Sequence, residues 1–523
     1  MTMMDKDMES VPANETARIG KTSDRMPAQG VRMRRVAAAA ALCALAAGCT
    51  VGPDYQKPAV AVPATYKELP GWTQAIPDAS GPKGEWWKAF NDPLLDELEP
   101  QVSVSNQTVQ QDYYNYQEAV ALIREARSGL FPTIGVTGSG TRSRASSTIG
   151  NSTNVANSAS LEGTLDWSPD FWGQVRRLVE ERKAGAEASA ATLANATLAE
   201  QVTLATTLID LRVTDANTAL LERTVKAYEE YLRVVENQDR AGTVAPSDVI
   251  TARTQLESAR SSLIALGVSR AEYEHAIAVL VGRNPESLSI PSTAALPTLP
   301  DMPVGVPSTL LERRPDIAVA ERQMAEENAA IGVAISAYYP TISLSGAAGF
   351  TQSPVSGLLH VANYVWSLGA SASETIFDGG ERSGEVAAAR ATYNAAVANY
   401  RNTVLGAFQN VEDDLSSLRI LSQQAQTLDR AVTEATRGTQ IAFNEYQAGT
   451  VDYTTVATAQ TTELGLRETQ LTVVQERLVA AATLYGDLGG GWDQTQLQAQ
   501  NGDAAAPASA SAAGGAAAGD TQH

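Results

Sequence analysis

Four short stretches of this chain alternate apolar and polar residues with a period of two, and they come as two pairs. In the first pair Ile134 and Val136 share one parity while Thr133, Thr137, Ser139 and Thr141 hold the other; then Leu161, Leu165 and Trp167 alternate with Glu162, Thr164 and Asp166. In the second pair Ile342, Leu344, Ala348 and Phe350 alternate with Thr341, Ser343 and Ser345, and Trp366, Leu368, Ala370 and Ala372 alternate with Ser367, Ser371 and Ser373. Successive strand residues point to opposite faces, so each stretch predicts a β-strand with one apolar and one hydroxylic or charged face. That dyad suits a membrane barrel, and it suits a half-buried soluble strand equally well. Past the first fifty residues no run of about eighteen apolar residues occurs, so any crossing of a membrane falls to strands. The polar segments between paired strands, Arg142 to Ser158 and Thr351 to Asn363, read as exposed loop tips.

The period then changes to that of a helix. Each second strand is followed by glycine, Gly173 or Gly379-Gly380, and by a long proline-free stretch rich in Ala, Glu, Leu and Arg. From Gln174 to Gln238 this is about 65 residues, or on the order of 100 Å of helix at ~1.5 Å per residue. Leu198, Val202, Ala205 and Ile209 keep the three-four spacing of a packed seam. Ala241-Gly242-Thr243-Val244 ends the first long helix and Ala448-Gly449-Thr450-Val451 the second, with glycine as the turn residue, before return helices from Pro246 to Gly282 and from Tyr453 to Leu488. Ahead of each strand pair a helical run stops at Phe131-Pro132 or Tyr339-Pro340, since proline disfavours helix at the residue before it. Order and spacing are both repeated at an offset of about two hundred residues, which marks a duplicated half and not a short solenoid repeat.

The ends of the chain have their own composition. Arg32, Arg34 and Arg35 precede the apolar core Val36 to Ala47, and Leu45-Ala46-Ala47-Gly48-Cys49 has the small residues of a lipoprotein cleavage site. This predicts that Cys49 carries the covalent lipid, palmitate-type acyl chains, and becomes the mature N-terminus. Residues 1–30 are polar and precede this signal, which fits a start at Met26 or Met33. The divisions are therefore 1–48 signal and upstream extension, 49–91 acylated segment, 92–290 first repeat, 291–307 proline-punctuated connector, 308–492 second repeat, and 493–523 an Ala-, Gly- and Ser-rich tail expected to be disordered.

Chemistry is sparse. Of the two cysteines, Cys43 lies in the removed core and Cys49 is the acylation site, leaving no thiol for a disulfide, metal or catalysis. The histidines are His275, His360 and His523, none at a metal-ligand spacing, and Asp166-Trp167-Ser168-Pro169-Asp170 ends a strand, so its acids read as turn residues. Met302 and Met324 are the only methionines after the signal, too few for a soft-metal relay. A formal net charge of −20 disfavours a nucleic-acid partner and suits a water-filled lumen or a periplasmic surface equally well. No enzyme and no cofactor is expected.

Three motifs carry a family resemblance: Cys49-Thr50-Val51-Gly52-Pro53-Asp54-Tyr55; Leu310-Leu311-Glu312-Arg313-Arg314-Pro315-Asp316-Ile317 with Ala320-Glu321 and Ile331-Gly332-Val333-Ala334; and Leu488-Gly489-Gly490-Gly491-Trp492. Together they resemble the OprM/NodT lipoprotein branch of the TolC-like outer-membrane efflux proteins. The resemblance implies an α+β membrane protein, a homotrimer whose long antiparallel helices form a periplasmic α-barrel and whose four strands per protomer share a twelve-stranded transmembrane β-barrel. It implies the outer-membrane channel of a tripartite pump, set in outer-membrane lipid and working with a periplasmic membrane-fusion adaptor and an inner-membrane RND-type transporter to pass drugs or small toxic solutes to the exterior. A type I secretion duct and a periplasmic lipoprotein scaffold are the alternatives. Four strands alone cannot close a barrel, because the smallest have about eight and an open edge in lipid leaves backbone groups unsatisfied. In relatives a carboxylate near the start of the last helix closes the periplasmic gate; alignment here puts Thr458 at that position and Thr454 at a usual apolar one, with Asp452 and Asp248 as the nearby acids.

Overall fold

The structure is a computed structural model that describes residues 50–60, 63, 65–68, 84–144, 155–300, 313–352 and 358–492. The signal, Cys49, the middle of both loop tips, residues 301–307 of the connector, Leu310 to Glu312 and the tail lie outside the described residues.

The first half runs α1 (Pro93–Ser105), α2 (Gln107–Ser128), β1 (Thr133–Arg144), β2 (Val155–Trp167), α3 (Gln174–Arg240) and α4 (Pro246–Leu280). The second runs α5 (Pro315–Ser336), β3 (Thr341–Gln352), β4 (Tyr364–Ser373), α6 (Glu381–Gln447) and α7 (Tyr453–Asp487). The duplication is close: α3 and α6 both have 67 residues, and α4 and α7 both have 35. The first half adds a break at Asn106, whose side chain accepts from the Thr108 and Val109 amides (2.8 and 3.2 Å) and so starts α2 afresh.

Glycine sets both ends of the long helices. Gly173 and Gly380 stand at their N-caps with φ of 84° and 103°. Gly242 and Gly449 follow their C-caps with φ of 72° each. The next amide reaches back to the last turn in both halves, Thr243 N to Gln238 O at 2.9 Å and Thr450 N to Glu445 O at 3.0 Å, which satisfies carbonyls the helix end would leave open.

The four strands form one antiparallel sheet in the order β1-β2-β3-β4, with β1 and β4 as edges. Its register joins the separate dyads into two continuous faces. Ile134 pairs with Leu165, Leu161 with Phe350, Trp167 with Leu344, Ala348 with Trp366 and Phe350 with Tyr364, all on one side. Thr137 pairs with Glu162, Ser139 with Ser160, Asp166 with Ser345 and Ser343 with Ser371, all on the other. The apolar face is not covered by the chain: Ile134, Val136 and Leu368 are 78%, 75% and 80% exposed. The strands also run further than the sequence suggests, correcting the loops at Arg142 to Ser158 and Thr351 to Asn363. Arg142 and Arg144 still pair, with Asn157 and Val155, and β3 reaches Gln352. Side-chain polarity reads as loop there, but the ladder is backbone bonding and continues through it.

The helical hairpins pack lengthwise. Their largest core joins Leu204, Leu208 and Leu211 of α3, Val411 and Leu415 of α6, and Leu478 and Leu484 of α7 with Trp86, Trp87 and Phe90 ahead of α1. The described part of the connector, residues 291–300, lies on this core in extended form; Thr293 N donates to Asp215 (3.0 Å) and Thr298 N to Phe90 O (2.9 Å). Two helix seams stay bare, one on α4 with Ile250, Ile264 and Val268, and one on α6 with Leu405, Ile420 and Ile441. Among the described residues no helix is long and apolar enough to cross a membrane.

Candidate functional site

Two places gather the residues singled out in the sequence: the junction of sheet and helices, where the segment after Cys49 docks, and the turned-back tips of the two hairpins.

At the junction Thr50 lies on Gly173, where a Cβ would come within 2.8 Å of the Thr50 Cγ2, and Val51 N donates to Trp172 O at 3.1 Å. Arg177, buried at the start of α3, holds the segment by its backbone. Its Nε donates to Val51 O (3.0 Å), and its Nη2 donates to Gly52 O (3.2 Å) and Asp54 Oδ1 (2.8 Å). Gly52 has φ of 96°, and a Cβ on it would sit 2.5 Å from the Gly332 Cα. Asn328 Nδ2 donates to Pro53 O at 3.0 Å, and the Tyr55 hydroxyl bonds Glu321 beneath the Arg322 guanidinium. The N-terminal motif thus touches the mid-chain motif through Gly52 on Gly332 and Tyr55 on Glu321. The closing motif joins the same half, since a Cβ on Gly489 would meet Arg313 O at 2.1 Å. Asp170 accepts from Arg176 N (3.0 Å) and Nε (3.2 Å), so the acid after β2 caps and clamps the entry to α3.

At the tips Asp452 caps α7, accepting from Thr455 N (3.1 Å) and Thr455 Oγ1 (3.0 Å). Asp248 lies in the first turn of α4, where burial and then the Asp452 carboxylate raise its pKa above the ordinary value. Thr454 and Thr458 are exposed, and the Thr458 hydroxyl donates to Thr454 O at 2.8 Å, its own helix backbone. Between the hairpins, Gln255 Nε2 donates to Ala457 O at 3.1 Å.

The sequence reading missed a buried aromatic cluster beside these residues. Tyr453 and Tyr446 are buried edge to face with centroids 5.4 Å apart, packed with Val235, Ala252, Ala442 and Val456. Tyr231 packs on Phe443 at 4.6 Å. Tyr446 and Tyr453, on either side of the second Ala-Gly-Thr-Val turn, were the available signal. His275 and His360 are exposed, and among the described residues no three His, Cys, Asp or Glu side chains are placed to hold a metal.

The outer membrane efflux protein family matches residues 100–283 and 306–490, which are the two halves found in the fold. The chain belongs to the outer membrane efflux protein family. Among curated relatives it is 28% identical over 458 residues to the probable efflux pump outer membrane protein TtgC of Pseudomonas putida, covering 86% of this chain and 94% of that one. It is 28% identical over 457 residues to nodulation protein T of Rhizobium leguminosarum bv. trifolii, covering 86% and 96%. Of solved structures, the outer-membrane channel OprN matches with a TM-score of 0.79 and 29% identity over 85% of this chain and 100% of that one. These likenesses agree with the OprM/NodT branch. As a member of the efflux protein family the chain is an outer-membrane efflux channel and not an enzyme, with the helix-plus-strand fold of the TolC-like channels.

Proposed function

We propose that three copies of this chain form the exit duct of a tripartite efflux pump. The observation that carries this reading is the sheet: four strands, two open edges, one continuous apolar face and one continuous polar face. Three copies pairing β1 of one with β4 of the next give twelve strands and no edge, with apolar residues toward lipid and hydroxyls and carboxylates toward water. The bare seams of α4 and α6 offer a second line of contact between copies. Cys49 immediately precedes Thr50, which packs at the helix-side margin of the sheet, so acyl chains there would enter the inner leaflet; Cys49→Ala should abolish fatty-acid labelling. A periplasmic adaptor and an inner-membrane RND-type transporter complete the pump in this reading. The cargo is small organic solutes, as the names of relatives that export toluene and antibiotics suggest.

The periplasmic end closes mainly by packing. The buried Tyr446–Tyr453 pair stiffens the two turns within each copy, while Thr454 and Thr458 present hydroxyls, one of them spent on its own helix. Asp452 and Asp248 start helices, and three like charges in a narrow mouth repel and bind cations where threonine cannot. Purified protein in planar bilayers tests the proposal. Discrete conductance with weak block by periplasmic multivalent cations is expected, and stronger block after Thr458→Asp. Absence of channels would end the duct reading; tight block of the unmodified channel that survives Asp248→Asn and Asp452→Asn would end this account of the gate.

A further inference from the structure

The strands separate their charges by face. Glu162 and Asp166 both lie on the polar face, opposite Thr137 and Thr133. The only ionised side chains of the other face are Arg142 and Arg144, which continue the parity of Ile134 and Val136 and pair with Asn157 and Val155. No carboxylate occurs on that face in any of the four strands. Both arginines are exposed, at the end of β1 away from the helices.

Height decides what they meet. Ile134 and Arg142 are eight residues apart, about 26 Å along a strand at ~3.3 Å per residue and roughly 20 Å of height at a barrel tilt near 40°. An outward apolar band is about 25 Å tall, so Arg142 and Arg144 come to its far margin, where a guanidinium reaches the headgroups. The neighbouring strands become polar near this level, with Asn157 on β2 opposite Arg142 and Gln352 on β3 opposite Ala159, in the row of Gly140 just short of it. The rim is thus a row of hydrogen-bond donors with net positive charge and no acid to compete. The guanidinium fork matches phosphate oxygens in pairs.

We propose that Arg142 and Arg144, flanked by Asn157 and Gln352, form a docking surface for the phosphate groups of an outer-leaflet lipid. The proposal rests on the outer-membrane barrel reading and adds the lipid class that the barrel's far rim selects.

The test uses the full-length protein in phosphatidylcholine vesicles containing either lipid A with both phosphates or the same lipid stripped of phosphate. Lipid retained after a detergent wash is counted by native mass spectrometry. Wild type should keep the phosphorylated lipid in preference to the stripped one. The double change Arg142→Gln with Arg144→Gln should lower that retention by roughly fivefold per arginine, while Arg142→Lys with Arg144→Lys keeps most of it. Inorganic phosphate at millimolar concentration should not displace the lipid. Equal retention of the two lipids by wild type, unchanged retention in the glutamine variant, or displacement by inorganic phosphate would each overturn the proposal. Conductance of the same preparations separates the two levels: channels that conduct without lipid preference sink only the rim, whereas wild type that fails to insert removes the barrel reading and the rim with it.

Discussion

The two halves of this chain share a backbone and differ in what their side chains attach to. Aligning Gln174 with Glu381 and Pro246 with Tyr453 carries Gly173 onto Gly380, Arg177 onto Gly384, Thr207 onto Asp414 and Ala245 onto Asp452. In the first half Gly173 and Arg177 are covered by the segment that follows Cys49. In the second, a Cβ on Gly380 would meet only the Ser383 hydroxyl, at 3.6 Å, and one on Gly384 nothing within 4 Å. The second half instead carries the Asp452 cap and a half-buried carboxyl pair. Asp414 accepts from Thr483 Oγ1 (3.2 Å) beside Asp487, which takes Arg314 Nη1 at 2.8 Å. Duplication kept the helix lengths and turns, which depend on backbone and glycine, and left side chains at matching positions free to differ, so that the start of α3 takes the N-terminal segment while the start of α6 stays open.

Substitutions at the anchor and at the open position that matches its arginine should break that equivalence most clearly. Gly52→Val puts a branched side chain into a positive-φ position already within contact of Gly332, and should cost about 2–4 kcal/mol and free the N-terminal segment to protease. Gly384→Ala, in the open helix of the second half, should be neutral or stabilising by up to about 1 kcal/mol. Equal effects in thermal unfolding would show that the halves are not specialised in this way.

The carboxyl pair gives the next effect, and it depends on pH. Burial, and then the Asp487 carboxylate, push Asp414 up to about 7. A raised carboxyl favours the folded state when protonated, so its contribution is full below the ordinary carboxylate range and is lost as pH rises through about 7. Asp414→Asn should therefore match wild type below about pH 4 and exceed it increasingly up to about pH 7, reaching about 1–2 kcal/mol after allowing for solvent screening. A stability difference between the two proteins that stays constant from pH 5 to 8 would contradict the shift.

The smallest effect compares the two tip acids. Asp452→Ala removes a cap and should cost about 1 kcal/mol. Asp248→Ala removes a carboxylate that burial and Asp452 both disfavour, and should leave stability unchanged or raised by a few tenths of a kcal/mol. Unfolding midpoints of the two variants that move together would show that the acids have one role and not two.

Much of this architecture was legible in the sequence because it rests on periodicity and glycine. The long helix expected from Gln174 to Gln238 runs to Arg240, and the strand parities match the paired faces. What stayed hidden depends on contacts between distant residues. Thr50 to Tyr55 read as a motif without a reason until Gly52 met Gly332 and Arg177 met three of its oxygens. The tip acids were visible, but Tyr446 and Tyr453 looked like ordinary helix residues, since their burial depends on the other hairpin turn. Arg142 and Arg144 read as loop because charge suggests solvent; only the register shows that they continue a strand on its apolar side.

The central claim is that β1 of each copy pairs with β4 of the next until three copies close the sheet. Cysteine pairs scanned along the two edges, one on β1 from Thr133 to Arg144 and one on β4 from Tyr364 to Ser373, test it by oxidation in the membrane and mass of the cross-linked product. The account predicts that in-register pairs give a ladder ending at three copies, with conductance retained. A ladder that stops at two, runs past three, or never leaves the monomer while channels still conduct would contradict it.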